Sequence, residues 1–352
     1  MCGIGAIICL KRLQEDTVTE SVRNMALELE SRGVHATGVC AIHENSFEIL
    51  KMPVRASIFI ETMQFKQFMK KNWHAKAFLV HDRHYTHGNP KHNYNNHPLE
   101  SENYILIHNG VIRDHELSGM FDAVYKEKAK RINTKVETDS YFILRIAEYL
   151  GIEYIPSIQG TNVSIIFDKN QKVLYLFRGS NQGYTLYVGY CPELHMIACA
   201  STENALSGAF SRMNKLFNFF DINKKEYKYT KKELKQGDFY KLEIFGRTKF
   251  QKIYGSKSYR DGESELMLEE YCYQADVVSV GEIKLVQLKN LPKKVKKKLN
   301  AIFQKHGSWY AVKSKEFPIF LKTIEMNAEI IARQYEQHCR RSLGYYTGAG
   351  YY

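Results

Sequence analysis

The chain has 352 residues, 44% of them hydrophobic and 25% charged, with seven prolines; this excludes a disordered or collagen-like polymer and suits one large domain or two unequal ones. Fifty Lys and Arg against thirty-eight Asp and Glu leave a net charge of +12, which favours an anionic partner or substrate and says nothing of fold. No apolar run approaches the roughly 18–20 residues of a membrane span, and the short apolar stretch before Lys11 and Arg12 is no signal peptide, so a soluble, cytoplasmic protein without membrane contact is expected.

In chain order, a strand is predicted over 4–10, then a helix over 17–30 in which Val18, Val22, Met25 and Leu29 recur at helical spacing. Strands follow at 39–43, 47–51, 77–81 and 104–108, each rich in Ile, Val, Phe or Tyr and bounded by turn residues. A second helix is predicted over 138–150, with Tyr141, Ile143, Leu144 and Ala147 as its stripe. Further strands are expected at 163–168, 173–178, 184–190, 196–200 and 237–244. Runs of strands with helices inserted between them indicate a layered α+β domain with largely antiparallel sheets.

Near residue 246 the composition shifts toward Lys, Glu and Tyr. The segment 246–352 reads as a small, basic, mixed or helical extension. Helices are predicted over 293–305 and 317–338, followed by a Gly/Tyr-rich tail. Lys293, Lys294, Lys296, Lys297 and Lys298, with Arg340 and Arg341, suit either a solvated helix face or a phosphate-binding surface for a nucleotide or nucleic acid.

Seven scattered cysteines, never spaced as CxxC, argue against a disulfide framework or a zinc ribbon. Cys2 stands apart. With Met1 removed, one residue carries a thiol and a free α-amine, and the amine can accept the thiol proton directly or through water.

The motifs that accompany Cys2 are ordered along the chain. They are Met1-Cys2-Gly3-Ile4, Ser31-Arg32-Gly33-Val34-His35-Ala36-Thr37-Gly38 and His81-Asp82-Arg83-His84-Tyr85-Thr86-His87-Gly88, then Asn96-His97-Pro98, His108-Asn109-Gly110, Glu137-Thr138-Asp139 and Ala200-Ser201-Thr202-Glu203-Asn204-Ala205-Leu206. This set resembles the class II glutamine amidotransferases, and most of all the glutaminase domain of the glutamine–fructose-6-phosphate aminotransferases, over residues 2–245. The resemblance implies a four-layer αββα N-terminal nucleophile hydrolase sandwich that hydrolyses L-glutamine to glutamate and ammonia through a Cys2 γ-glutamyl thioester.

It also implies that Asn109 and Gly110 supply oxyanion donors, that Arg83 binds the substrate's α-carboxylate and Asp139 its α-ammonium, and that Thr86 and His87 contact substrate. A bidentate guanidinium suits a carboxylate on its own terms. Glu137-Thr138-Asp139 before an apolar run also reads as a helix N-cap. Three positions depart from the resembled pattern: His84 replaces Trp, Tyr85 replaces Ala, and His35 replaces Asp. His81, His84, His87, His92 and His97 crowd one segment, but no HExxH or carboxylate companion joins them, so no metal and no cofactor are expected.

The 107 residues after 245 carry no Walker A motif and no Ser-Gly-Gly-x-Asp-Ser pyrophosphate loop, and they are too few for paired sugar-isomerase domains. The expected arrangement is a glutaminase that feeds an acceptor synthase in trans. The alternatives are complete sugar-phosphate amination by this chain, or a degenerate, non-catalytic binding module of the same fold.

Overall fold

The computed structural model describes residues 1–179, 183–213, 224–246, 248–254 and 272–274. The expected helices over 293–305 and 317–338, the basic cluster and the tyrosine tail lie outside these residues. Among the described residues sixteen strands run β1 Gly3–Cys9, β2 Ala36–Ile42, β3 Phe47–Met52, β4 Ala77–Arg83, β5 Leu99–Glu100, β6 Tyr104–Ile112, β7 Gly160–Asp168, β8 Val173–Arg178, β9 Tyr187–Cys191, β10 Met196–Ala200, β11 Ser211–Met213, β12 Lys224–Glu226, β13 Thr230–Glu233, β14 Phe239–Glu243, β15 Lys249–Tyr254 and β16 Cys272–Gln274. The helices are α1 Glu15–Leu29, α2 Ala56–Phe59, α3 Met63–Asn72, α4 Ser118–Val124, α5 Lys126–Ala129, α6 Tyr141–Tyr149 and α7 Glu203–Phe210.

Two seven-stranded sheets carry the architecture. One has the order β13-β9-β10-β1-β4-β2-β3 and the other β16-β15-β14-β8-β7-β6-β5; β11 and β12 pair separately. Ladders are antiparallel except for β15 with β16. Because strand side chains alternate between faces, each sheet presents two apolar surfaces. Ile4, Ala6 and Ile8 of β1 meet Ile105 and Ile107 of β6 and Val163 and Ile165 of β7 in a core between the sheets. The opposite face, with Ile7, Phe78 and Val80, is covered by α1, α3 and α7. The outer face of the second sheet, with Leu106 and Ile166, packs against α4 and α6. The layers are therefore α, β, β, α.

Strand β1 reads Gly-Ile-Gly-Ala-Ile-Ile-Cys and is buried throughout. A near-continuous apolar run is what a strand covered on both faces requires. Gly3 lets α1 approach: a side chain there would begin 2.8 Å from Leu29 Cβ. Helix α7 is capped by Thr202, whose hydroxyl accepts the Ala205 N–H at 3.2 Å.

The structure departs from the sequence reading in places with clear causes. Helices α3 and α7, ten and eight residues long, span too few turns for their period to stand out. The helix expected over 138–150 begins only at Tyr141, and the strand expected over 184–190 only at Tyr187. Strand β6 runs on to Ile112, so Asn109 and Gly110 sit inside a strand rather than at its end. Strands β15 and β16 carry the second sheet past residue 245.

Candidate active site

Cys2 precedes the central strand of the first sheet, and three contacts fix where that strand starts. The Ile4 N–H donates to Ser201 Oγ at 3.1 Å, and the Ser201 N–H returns to the Ile4 carbonyl at 2.9 Å. Gly3 pairs with Asp82 across the ladder with β4. By alternation, Cys2 falls on the same face as Ile4 and Ala6, toward the second sheet. Its half-buried Sγ lies 3.4 Å from both the N–H and the carbonyl oxygen of His84. Burial pushes the thiol above its ordinary range, against the His84 N–H, the terminal ammonium and Arg83, while Asp139 pushes in the same direction as burial. A thiol held protonated needs a proton acceptor before it can attack.

Arg83 ends β4 on the same face and is buried. Its guanidinium donates to Asn96 Oδ1 at 2.7 Å and to the carbonyls of His87 and Gly88. Three of its five N–H groups thus hold protein acceptors. The segment that carries Asn96 is itself held: Lys51 Nζ donates to the carbonyls of Asn96 at 2.8 Å and Pro98 at 3.0 Å. Burial lowers Lys51 to about 8. The neighbouring Asn95 exchanges two bonds with Glu137, donating to Oε2 at 2.9 Å and accepting the Glu137 N–H at 2.8 Å. Adjacent asparagines therefore set Arg83 on one side and the Glu137–Asp139 segment on the other. Asn96 appeared in the sequence only as part of a motif, and nothing in the sequence marked Lys51 or Asn95.

Asp139 does not cap the helix that follows it. Its Oδ2 accepts the Ile112 N–H of β6 at 2.6 Å, while Oδ1 faces Thr138 Oγ1 at 3.3 Å and His87 Nδ1 at 3.7 Å. Beside it lie Thr86 and His87, joined at 3.2 Å between Oγ1 and Nδ1. Exposure of 40% for the His87 side chain leaves it in contact with solvent as well as Asp139.

On β6, Asn109 shares the inter-sheet face with Ile105 and Ile107. It is fully buried, and neither its Oδ1 nor its Nδ2 has a hydrogen-bond partner. Next to it, Gly110 adopts φ +155°, and a side chain at that position would run into the Thr161 carbonyl of β7. His81 Nε2 reaches the His108 carbonyl at 3.1 Å, which ties the two sheets together one residue before Asn109. Burial drives His81 down to about 3, and it also lowers His97, stacked on His81 at 4.1 Å, and His108. These imidazoles are neutral at neutral pH. Among the described residues, no cluster of three or more His, Cys, Asp or Glu side chains is arranged to hold a metal ion.

Arg83 and Asp139 lie close enough to Cys2 to influence its ionisation, and Asn109 and Gly110 sit on the facing strand. His35, His84 and Tyr85, the departures from the resembled pattern, meet at the mouth beside Cys2. Replacing Arg83 with Lys removes the fork that holds Asn96, His87 and Gly88 together, leaving acceptors unpaired at roughly 1–3 kcal/mol each. Arg83→Lys is expected to lower the melting temperature by several degrees, which thermal unfolding reads.

No family model matches the chain. Over 229 residues it is 24% identical to the glutamine–fructose-6-phosphate aminotransferase (isomerizing) of Shouchella clausii, covering 64% of this chain and 35% of that protein. It is 30% identical over 149 residues to the enzyme of the same name from Bacillus anthracis, covering 42% and 22%. The chain thus spans about a third or less of the length of these curated relatives. Among solved structures, glutamine phosphoribosylpyrophosphate amidotransferase from Bacillus subtilis superposes with a TM-score of 0.51 at 15% identity, over 71% of this chain and 49% of that one. The chain has the fold of the class II glutamine amidotransferases, and in sequence it resembles their glutaminase domain. Among the described residues no helix is long and apolar enough to cross a membrane.

Proposed function

We propose, for a chain with the fold of a class II glutamine amidotransferase, that it hydrolyses free L-glutamine to glutamate and ammonia with Cys2 as nucleophile. The observation that carries the proposal is the Asn109 amide, fully buried and unpartnered on the sheet face that looks toward Cys2. A buried, unsatisfied amide costs stability. A developing oxyanion would take its N–H.

In this reading Met1 is removed, and the α-amine of Cys2 takes the proton that burial keeps on the thiol. Sγ forms a bond to the glutamine side-chain carbon. The carbonyl oxygen becomes an oxyanion facing Asn109 Nδ2 and the Gly110 N–H. Collapse expels ammonia, which carries away the transferred proton, and leaves the γ-glutamyl thioester. Water then adds to the same carbon and gives a proton to the α-amine, the C–S bond breaks, the amine returns that proton to Sγ, and glutamate leaves. The N–H groups of Arg83 not turned to Asn96, His87 and Gly88 bind the α-carboxylate. Asp139, held in place by the Ile112 N–H, receives the α-ammonium at its other oxygen. Thr86 and His87 close the rim over the amino acid. No cofactor is used.

The ammonia passes to an acceptor held by a separate synthase. Purified protein incubated with glutamine should release glutamate and ammonia in equal amounts. Adding fructose 6-phosphate should yield no glucosamine 6-phosphate. Sugar amination at the rate of glutamate release would overturn the separate acceptor site, and no glutamate release at all would overturn the glutaminase reading.

A further inference from the structure

The stretch from His84 to Gly88 forms a wall beside Cys2 and is gripped at both ends by the site. The His84 backbone lies against the Cys2 thiol, and the His87 and Gly88 carbonyls accept from Arg83. A side chain from outside the stretch ties its middle. The ladder between β2 and β4 pairs Ala36 with Arg83, and the His35 N–H extends it by donating to the Arg83 carbonyl at 3.0 Å. One step further, the Tyr85 N–H meets the His35 ring at Nδ1, 3.4 Å away. The imidazole therefore stands in for the main-chain acceptor that the next ladder step would have supplied. It is bracketed edge-on by the rings of His84 at 5.0 Å and Tyr85 at 4.7 Å between centroids.

We propose that His35 is a positioning residue for the active site, whose neutral imidazole anchors the 84–88 wall over Cys2 and whose protonation at Nδ1 releases it. This rests on the glutaminase reading for its effect on turnover, although the anchoring itself does not. An acceptor role at Nδ1 places the ring proton on Nε2. The imidazolium has an N–H at both positions and no lone pair left for Tyr85.

Among the described residues no carboxylate forms an ion pair with the ring. Facing it are His84, Tyr85 and the Arg83 backbone. The preceding turn carries Arg32, whose Nη2 reaches Met1 Sδ at 3.5 Å, and Glu30, which is engaged by Arg55 at 2.9 Å and by the Ser57 N–H. His84 is held below the ordinary imidazole range by burial, by the terminal ammonium and by His35.

Two substitutions separate anchoring from packing. In His35→Asp a carboxylate, which stays an acceptor well below the imidazole range, replaces Nδ1; in His35→Phe the ring remains and the acceptor is lost. Hydrogen exchange of the peptide containing residues 84–88, read by mass spectrometry at about pH 8 and about pH 5.5, compares the three proteins at equal pH so that intrinsic exchange cancels. At the higher pH the wild type and His35→Asp should exchange alike and at least severalfold more slowly than His35→Phe. At the lower pH only His35→Asp should keep its protection. In kcat/KM for glutamine, the acid limb should move down by about one pH unit or more in His35→Asp, while His35→Phe should lose about tenfold against the wild type at about pH 8 and match it at about pH 5.5.

Identical exchange in all three proteins at both pH values, or an acid limb that stays in place in His35→Asp, would overturn the proposal. If the exchange pattern holds but the wild type turns over no glutamine, the anchor stands and the glutaminase reading falls.

Discussion

Cys2→Ala is expected to leave the fold intact and to take glutamine hydrolysis below detection. The substitution removes one sulfur from a half-buried position whose contacts are two long approaches to the His84 backbone at 3.4 Å, so little packing is lost. The strand start is held elsewhere, by the paired bonds between Ile4 and Ser201 and by the ladder with β4. Circular dichroism and the melting temperature should therefore match the wild type. Without the thiol no γ-glutamyl thioester forms; Arg83 is cationic, and His81, His97 and His108 are buried and turned to backbone or to one another. The same mechanism requires a mature chain that starts at Cys2. Intact-mass measurement should give that chain, and a protein that keeps Met1 and still hydrolyses glutamine would remove the α-amine as base.

Asn109→Ala should separate catalysis from stability more sharply than any other single change. Most buried asparagines hold something, and cutting them back destabilises the protein. Here both amide atoms lack a partner. Removal therefore relieves an uncompensated polar group, with only a small void to set against that gain. The melting temperature should stay within a few degrees of the wild type. Turnover should fall about 10²–10³-fold, or ~3 kcal/mol, because the donor is needed only where negative charge develops. KM should change little, since the ground-state amide oxygen carries far less charge. A severalfold fall in stability with turnover intact would make Asn109 a structural residue and would remove the main support for the proposed function.

Much of this was legible in the sequence because it was local or ordered. Apolar runs bounded by turns marked most strands, and the stripe of Val18, Val22, Met25 and Leu29 marked α1, since both signals repeat within one element. The order of short motifs from Cys2 to Leu206 pointed to the fold class, because each stretch carries unusual residue types at a fixed place in the chain. What the sequence could not show was which polar groups lack partners and which are spoken for. Asn109 follows the strand expected over 104–108, yet it lies within a strand, on the face turned to Cys2, with its amide unmatched. Asp139 reads as a helix cap, yet its carboxylate holds a β6 amide. Lys51, Asn95 and Asn96 carried no sign that together they position Arg83 and the Asp139 segment. His35 looked like a departure from a pattern until its ring was found against the Tyr85 amide, 50 residues along the chain. Sequence by itself determined which groups exist and the period at which each element exposes them. Their partners were decided by ladder register and sheet packing, which bring residues far apart in the chain within hydrogen-bond reach, and no local pattern encodes that distance.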